Sequence, residues 1–232
     1  MKLKIFLFFI PFSILTTYSN AQSVENTGWL FLSHTQKLTE KFDVLADAQL
    51  RTSDQYTYWK NVLLRTALSY NLSKKHSIAV GYAYLGEGEK TDDGKETSVE
   101  HRSYAQYQFN FKARKKEISF RGRFEQRFIK EDEKVMFSQR ARIFASLQAP
   151  IFSNKDFSNG LYVKIQNELF LNVQYKDRVN NSILDQNRPY SAVGFRVNEK
   201  MDFELGYMRL LKRELDEDMN LNVMQVMITT SF

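Results

Sequence analysis

The sequence predicts an all-β fold, an antiparallel up-and-down transmembrane β-barrel of about ten to twelve strands with a charged lumen. Three observations carry that expectation. Segment after segment alternates apolar and polar residues with a period of two, which belongs to strands and not to helices. Mean hydropathy is only −0.47 although 43% of residues are hydrophobic and 14% aromatic, a combination a barrel produces because every second residue faces away from lipid. The chain also opens like an exported protein. Lys2 and Lys4 form a basic start, Ile5 to Leu15 an apolar stretch, and Ser19-Asn20-Ala21 a small-residue cleavage site before Gln22. That stretch is too short to span a bilayer, which takes about 20 apolar residues. Residues 1–21 therefore read as a cleaved signal peptide and residues 22–232 as one barrel domain in the outer membrane of a Gram-negative cell.

Composition narrows the classes further. A net charge of +6 does not by itself imply nucleic acid, and an exported protein would rarely meet any. With no cysteine, neither a disulfide framework nor a thiolate metal site is available. Gln22 rather than Cys after the cleavage site argues against a lipid-anchored start.

The elements follow in order. Trp29 to Leu38 is the first strand and Thr39-Glu40-Lys41 a tight turn. Phe42, Val44, Ala46, Ala48 and Leu50 then alternate with Asp43, Asp47, Gln49 and Arg51. After a polar loop, Trp59 to Leu72 forms a third strand, and Ser73-Lys74-Lys75 turns into Ile78–Tyr84 with its small residues Ala79, Gly81 and Ala83. Residues 87–98 are expected to be the longest polar connection. Val99–Lys112 resumes the alternation, and Glu117–Lys130 gives its clearest example. There Ile118, Phe120, Phe124 and Phe128 take one side and Arg121, Arg123, Glu125 and Arg127 the other. Val135–Ala149 follows, then a connection over 150–160 and a strand over Leu161–Leu171. A loop over 174–185, strands Gln186–Val197 and Met201–Tyr207, an acidic loop Glu214–Asp218 and a final strand Asn220–Phe232 complete the chain.

Connections after Leu38, Leu72, Lys112 and Val197 are short, and those after Arg51, Leu85 and Val173 are longer. Outer-membrane barrels have short periplasmic turns and longer outer loops, which puts Phe232 at the periplasm. A terminal Phe on an alternating strand matches the C-terminal signature read by the barrel-assembly machinery, so that machinery and outer-membrane lipid are the expected partners. Eleven strands can be counted. Single-chain bacterial barrels have even numbers, so one missed strand, giving twelve, is preferred over a non-wall first segment, giving ten. A soluble barrel would need the inverse pattern, apolar inside and polar outside. The arginine- and glutamine-rich polar face, with Tyr and Trp where strands meet loops, favours the membrane form.

A set of short motifs runs along the chain: Glu100-His101-Arg102 with Gln106, the run Arg121 to Arg127, Arg140-Ala141-Arg142, Glu168 to Asn172, Gln186-Asn187-Arg188 and Gly206-Tyr207-Met208. As a set they resemble a family of outer-membrane β-barrel proteins from Bacteroidota, domain of unknown function 2490, over essentially the whole mature chain. The resemblance implies a barrel and an outer-membrane address, and no activity.

The same residues form a candidate charge network. If the turn at 131–134 pairs Lys130 with Val135, Glu125 faces Arg140 and Arg123 faces Arg142. If the turn at 113–116 pairs Lys112 with Glu117, Arg102 lies opposite Arg127. Like charges facing each other across strands destabilise, so Glu100, Glu125 and Glu168 are expected to stand between these arginines, with Arg121 and Arg188 on the same face. One reading is a ladder of ion pairs filling a narrow barrel. A second is a basic, porin-like lining that attracts a small anion and passes it through a narrow pore.

Signals for catalysis are thin, and the chain is not expected to be an enzyme. The nearest is Asp156-Phe157-Ser158, which is similar to the His-x-Ser segment of outer-membrane phospholipases and lipid A deacylases with an aspartate in the histidine's place. A carboxylate is a poor base for a serine, so a lipid-modifying hydrolase built on Ser158 is the alternative reading only. His34, His76 and His101 are far apart in sequence, and no metal site or cofactor is expected. Asp92-Asp93-Gly94 reads as a solvated loop.

Overall fold

The computed structural model describes residues 24–91, 94–131, 134–215 and 217–232. The expected signal peptide, residues 1–21, lies outside them, as do Asp92 and Asp93. The strands are β1 (Val24–Lys37), β2 (Phe42–Thr52), β3 (Trp59–Asn71), β4 (His76–Thr91), β5 (Gly94–Ala113) and β6 (Lys116–Glu131). They continue with β7 (Lys134–Ser153), β8 (Gly160–Gln174), β9 (Leu184–Asn187), β10 (Tyr190–Asn198), β11 (Met201–Lys212) and β12 (Met219–Ser231).

From β1 to β8 each strand pairs antiparallel with the next. β9 and β10 then share one place in the wall, because both lie between β8 and β11. The sequence reading had one strand over Gln186–Val197. It breaks at Pro189, which has no N–H to give a ladder. The wall is therefore eleven strands, and it closes on itself.

That count corrects the expectation of an even number. In an odd meander the first and last strands run in the same direction, so the closing pair must be parallel. β1 and β12 do pair in parallel, from Val24 opposite Asn220 to Thr35 opposite Ser231. The start of β1 and Phe232 accordingly lie at opposite ends of the barrel.

Two connections also differ from expectation. Residues 87–91 and 94–98 are strand and not loop: β4 and β5 stay paired to Thr91 opposite Gly94, past the last pair of β3 with β4 at Asn61 and Glu87. β7 runs beyond Ala149 through Pro150 to Ser153, with an irregular step between Pro150 and Phe152 that accommodates the proline. Longer hairpins and loops thus gather at one end, called here the hairpin end. The other end, the Phe232 end, has turns such as 38–41, 72–75 and 114–115. At that end the Phe232 amide donates to Thr35 O (2.9 Å), and the Lys37 amide donates to Phe232 O (2.6 Å).

The two faces separate cleanly. Leu64, Val80, Phe120, Phe124, Ile143, Ile165, Val193, Leu205 and Val226 point outward and are exposed, while Glu100, Arg102, Arg123, Glu125, Arg140, Arg142 and Glu168 point inward and are buried. Trp29 is also an inward residue, 7% exposed. It is no girdle residue, because it shares the lumen parity of Thr27 on β1 and its ring lies against Arg51 at 3.9 Å.

Tyrosines on the lumen side brace the wall by lying over glycines of the next strand. A Cβ on Gly206 would stand 2.3 Å from Tyr190 Cζ, and one on Gly194 would stand 2.2 Å from Tyr162 Cζ. Only glycine lets each ring approach so closely. Both hydroxyls then reach Glu204, the Tyr190 hydroxyl donating to Oε1 at 2.7 Å and the Tyr162 hydroxyl to Oε2 at 3.3 Å.

Candidate functional site

The two-residue turn at 114–115 and the pairing of β6 with β7 set the register of the central sheet. Lys112 pairs with Glu117 and Arg102 with Arg127, while Lys130 pairs with Val135, Glu125 with Arg140 and Arg123 with Arg142. Alternation then puts all of these charged side chains except Lys130 on the lumen face. Arginines stand directly opposite arginines twice, and a carboxylate, Glu100, bridges the Arg102–Arg127 pair.

Glu125 is at the centre, 1% exposed. Its Oε2 accepts from Arg140 Nε (3.0 Å) and Nη2 (2.7 Å), and its Oε1 accepts from Arg142 Nη1 (2.7 Å). Arg140 Nη1 donates onward to Asp185 Oδ2 at 2.6 Å, which carries the network from β7 past β8 to β9. Glu168 takes Arg142 Nη2 (2.8 Å) and Arg121 Nη2 (2.9 Å). Glu100 takes both members of the facing pair Arg102 and Arg127, at 2.7 and 2.5 Å.

Two of the expected network arginines have no such carboxylate. Arg123 donates from Nε (3.1 Å) and Nη2 (2.7 Å) to Gln106 Oε1 and lies over the Tyr104 ring at 4.1 Å. Its nearest carboxylate oxygen is Glu125 Oε1 at 3.9 Å, and Arg123 Nη1 has no hydrogen-bond acceptor among the described residues. Arg188 donates from Nε to Gln186 Oε1 at 3.0 Å and lies over Phe170 (4.3 Å) and Trp29 (5.3 Å). Arg188 thereby links the β9–β10 junction to β1.

The network fills the hairpin-end half of the lumen, where Glu100, Arg102, Arg127, Arg140 and Asp185 are all at least nine-tenths buried. Asn180 seals it from the loop after β8, donating from Nδ2 to Asp185 Oδ1 (3.0 Å) and to Arg213 O (3.0 Å). From mid-barrel toward the Phe232 end the lumen is a cavity of about 420 Å³, whose charged lining is Arg65, Arg121, Arg123, Arg142, Lys164 and Arg188 with Asp43, Asp47 and Glu168.

Several of these residues were not anticipated. Asp185 was assigned to the end of a polar loop, and only the fold of that loop against β11 brings it to Arg140. The Tyr162–Tyr190–Glu204 group had a partial signal, since Gly194 and Gly206 fall at lumen-parity positions of alternating strands.

The other candidates separate. Ser158 lies in the turn between β7 and β8, where its hydroxyl donates to Asp156 Oδ1 (3.1 Å) and accepts from Asn154 Nδ2 (2.6 Å). The Ser158 amide and hydroxyl hold the exposed Asp156 carboxyl below its ordinary pKa, away from the range a serine-activating base needs. His34 meets the Thr230 hydroxyl at 2.8 Å, His76 meets Tyr107 and His101 meets Tyr82. Among the described residues no three His, Asp or Glu side chains gather as a metal site.

No curated protein and no solved structure matches the chain. The family described as Protein of unknown function (DUF2490) matches residues 26–219, from β1 to the first residue of β12, and the chain belongs to that family.

Proposed function

We propose that the protein is a non-enzymatic outer-membrane barrel whose lumen is closed to bulk flow and open as a pocket at one end. The observation that carries the closed lumen is the Glu125–Arg140–Asp185 chain, buried to 1, 2 and 4% exposure and running from β6 and β7 to β9. A water-filled pore would leave such groups hydrated. The outward band of exposed Leu, Val, Ile and Phe supports a lipid surroundings, since the same side chains in water would form an apolar patch far larger than soluble monomers carry. The shorter turns at the Phe232 end support a periplasmic position for that end.

Two experiments test this reading. The protein should fractionate with outer membranes and migrate faster on gels before heating than after; recovery in the soluble fraction overturns the membrane assignment. In planar bilayers the folded barrel should be electrically silent. A reproducible ohmic conductance with anion preference would instead establish the narrow pore.

A further inference from the structure

We propose that the cavity at the Phe232 end is a binding site for a small organic anion carrying a carboxylate or phosphate, held by Arg123 and Arg188, with the Glu168-paired Arg121 beside them. The proposal deepens the closed-lumen reading and rests on it, since a ligand entering from this end finds the lumen filled beyond Arg142.

The first argument is charge. Around the middle of the lumen, nine arginines (51, 65, 102, 121, 123, 127, 140, 142 and 188) stand among five carboxylates that pair with them (47, 100, 125, 168 and 185), with Asp43 also in the cavity lining. Asp47 and Glu168 lie in the cavity wall and pair with Arg65 and with Arg121 and Arg142, which leaves Arg123 and Arg188 there without a hydrogen-bonded carboxylate; Arg123 stands opposite Arg142 and two positions from Arg121 on the same strand. Like charges facing each other across strands destabilise. Arg142 is answered by Glu125 and Glu168, whereas Arg123 has only a neutral amide. A structural ladder does not require that imbalance.

The second argument is preorganisation. Each of the three guanidiniums lies on an aromatic ring: Arg121 over Phe144 (4.6 Å), Arg123 over Tyr104 (4.1 Å) and Arg188 over Phe170 (4.3 Å). Stacking holds the Arg123 and Arg188 guanidiniums in place without neutralising them, while Arg121 also pairs with Glu168 at 2.9 Å; two planar donors without a carboxylate partner suit recognition of a planar or tetrahedral oxyanion. The cavity, at about 420 Å³, is in the range of small-ligand sites. Its mouth is polar, with Ser69, Asn71 and Asn110, so the body of the ligand should be hydrophilic.

The test uses the full chain folded in detergent and titrated calorimetrically, at low salt, with inorganic phosphate, succinate and the neutral control glucose. Saturable one-site binding of phosphate or succinate, with none for glucose, is expected, and the better probe identifies the anionic group. Arg123→Gln should weaken that binding about tenfold or more, while Arg123→Lys should retain most of it. If Arg123→Gln loses heat-modifiable migration, Arg188→Gln replaces it. Absence of saturable binding by the folded wild type, or equal binding by the folded Gln variant, overturns the site. The bilayer measurement reports separately: conductance together with binding overturns the closed lumen and leaves the site standing.

Discussion

Glu125→Ala should destabilise the folded barrel by about 3–5 kcal/mol, the cost typical of removing one partner from a buried ion pair. Three hydrogen bonds from Arg140 and Arg142 end on this carboxylate, and it is 1% exposed. Its loss leaves two guanidiniums side by side on β7 with Asp185 and Glu168 as the remaining counter-charges. Gln126→Ala, one residue along but on the outer face, should stay within about 0.5 kcal/mol. Reversible urea unfolding in vesicles measures both. Similar destabilisation by the two substitutions would contradict the assignment of Glu125 to the network's centre.

Gly206→Val should cost about 2 kcal/mol or more and do so through Tyr190. A Cβ at this position would stand 2.3 Å from the Tyr190 ring, so the buried ring must leave its place and the 2.7 Å bond to Glu204 must break. The double variant Gly206→Val with Tyr190→Ala removes the clashing ring, and the two substitutions should then cost less together than the sum of their separate effects. Additive losses in the same unfolding measurement would show that the ring and the glycine are not coupled.

Much of the site is legible in the sequence. Glu125 opposite Arg140 and Arg123 opposite Arg142 follow from a tight turn at 131–134 and a period of two, both local properties. What sequence could not supply was the division of labour among the arginines. Arg121, Arg123 and Arg188 look alike in the alternation, yet Arg121 is answered by Glu168 from β8 while Arg123 and Arg188 are answered only by amides and rings. That difference depends on which side chains arrive from strands not adjacent in sequence. Pro150 and Pro189 misled in opposite directions. At Pro150 a bulge lets β7 continue, and at Pro189 the missing N–H splits a strand that alternation alone would join.

By itself the sequence determined the all-β class, the inward and outward faces and the register of the hairpins around β6, because side-chain parity and short turns are set within a few residues. Only the tertiary structure decided the number of strands and the shape of the lumen. Closure joins residues as distant as His34 and Thr230, 196 apart, and makes their strands parallel, which no local pattern encodes. The same closure decides which arginines meet a carboxylate and which are left facing an open cavity.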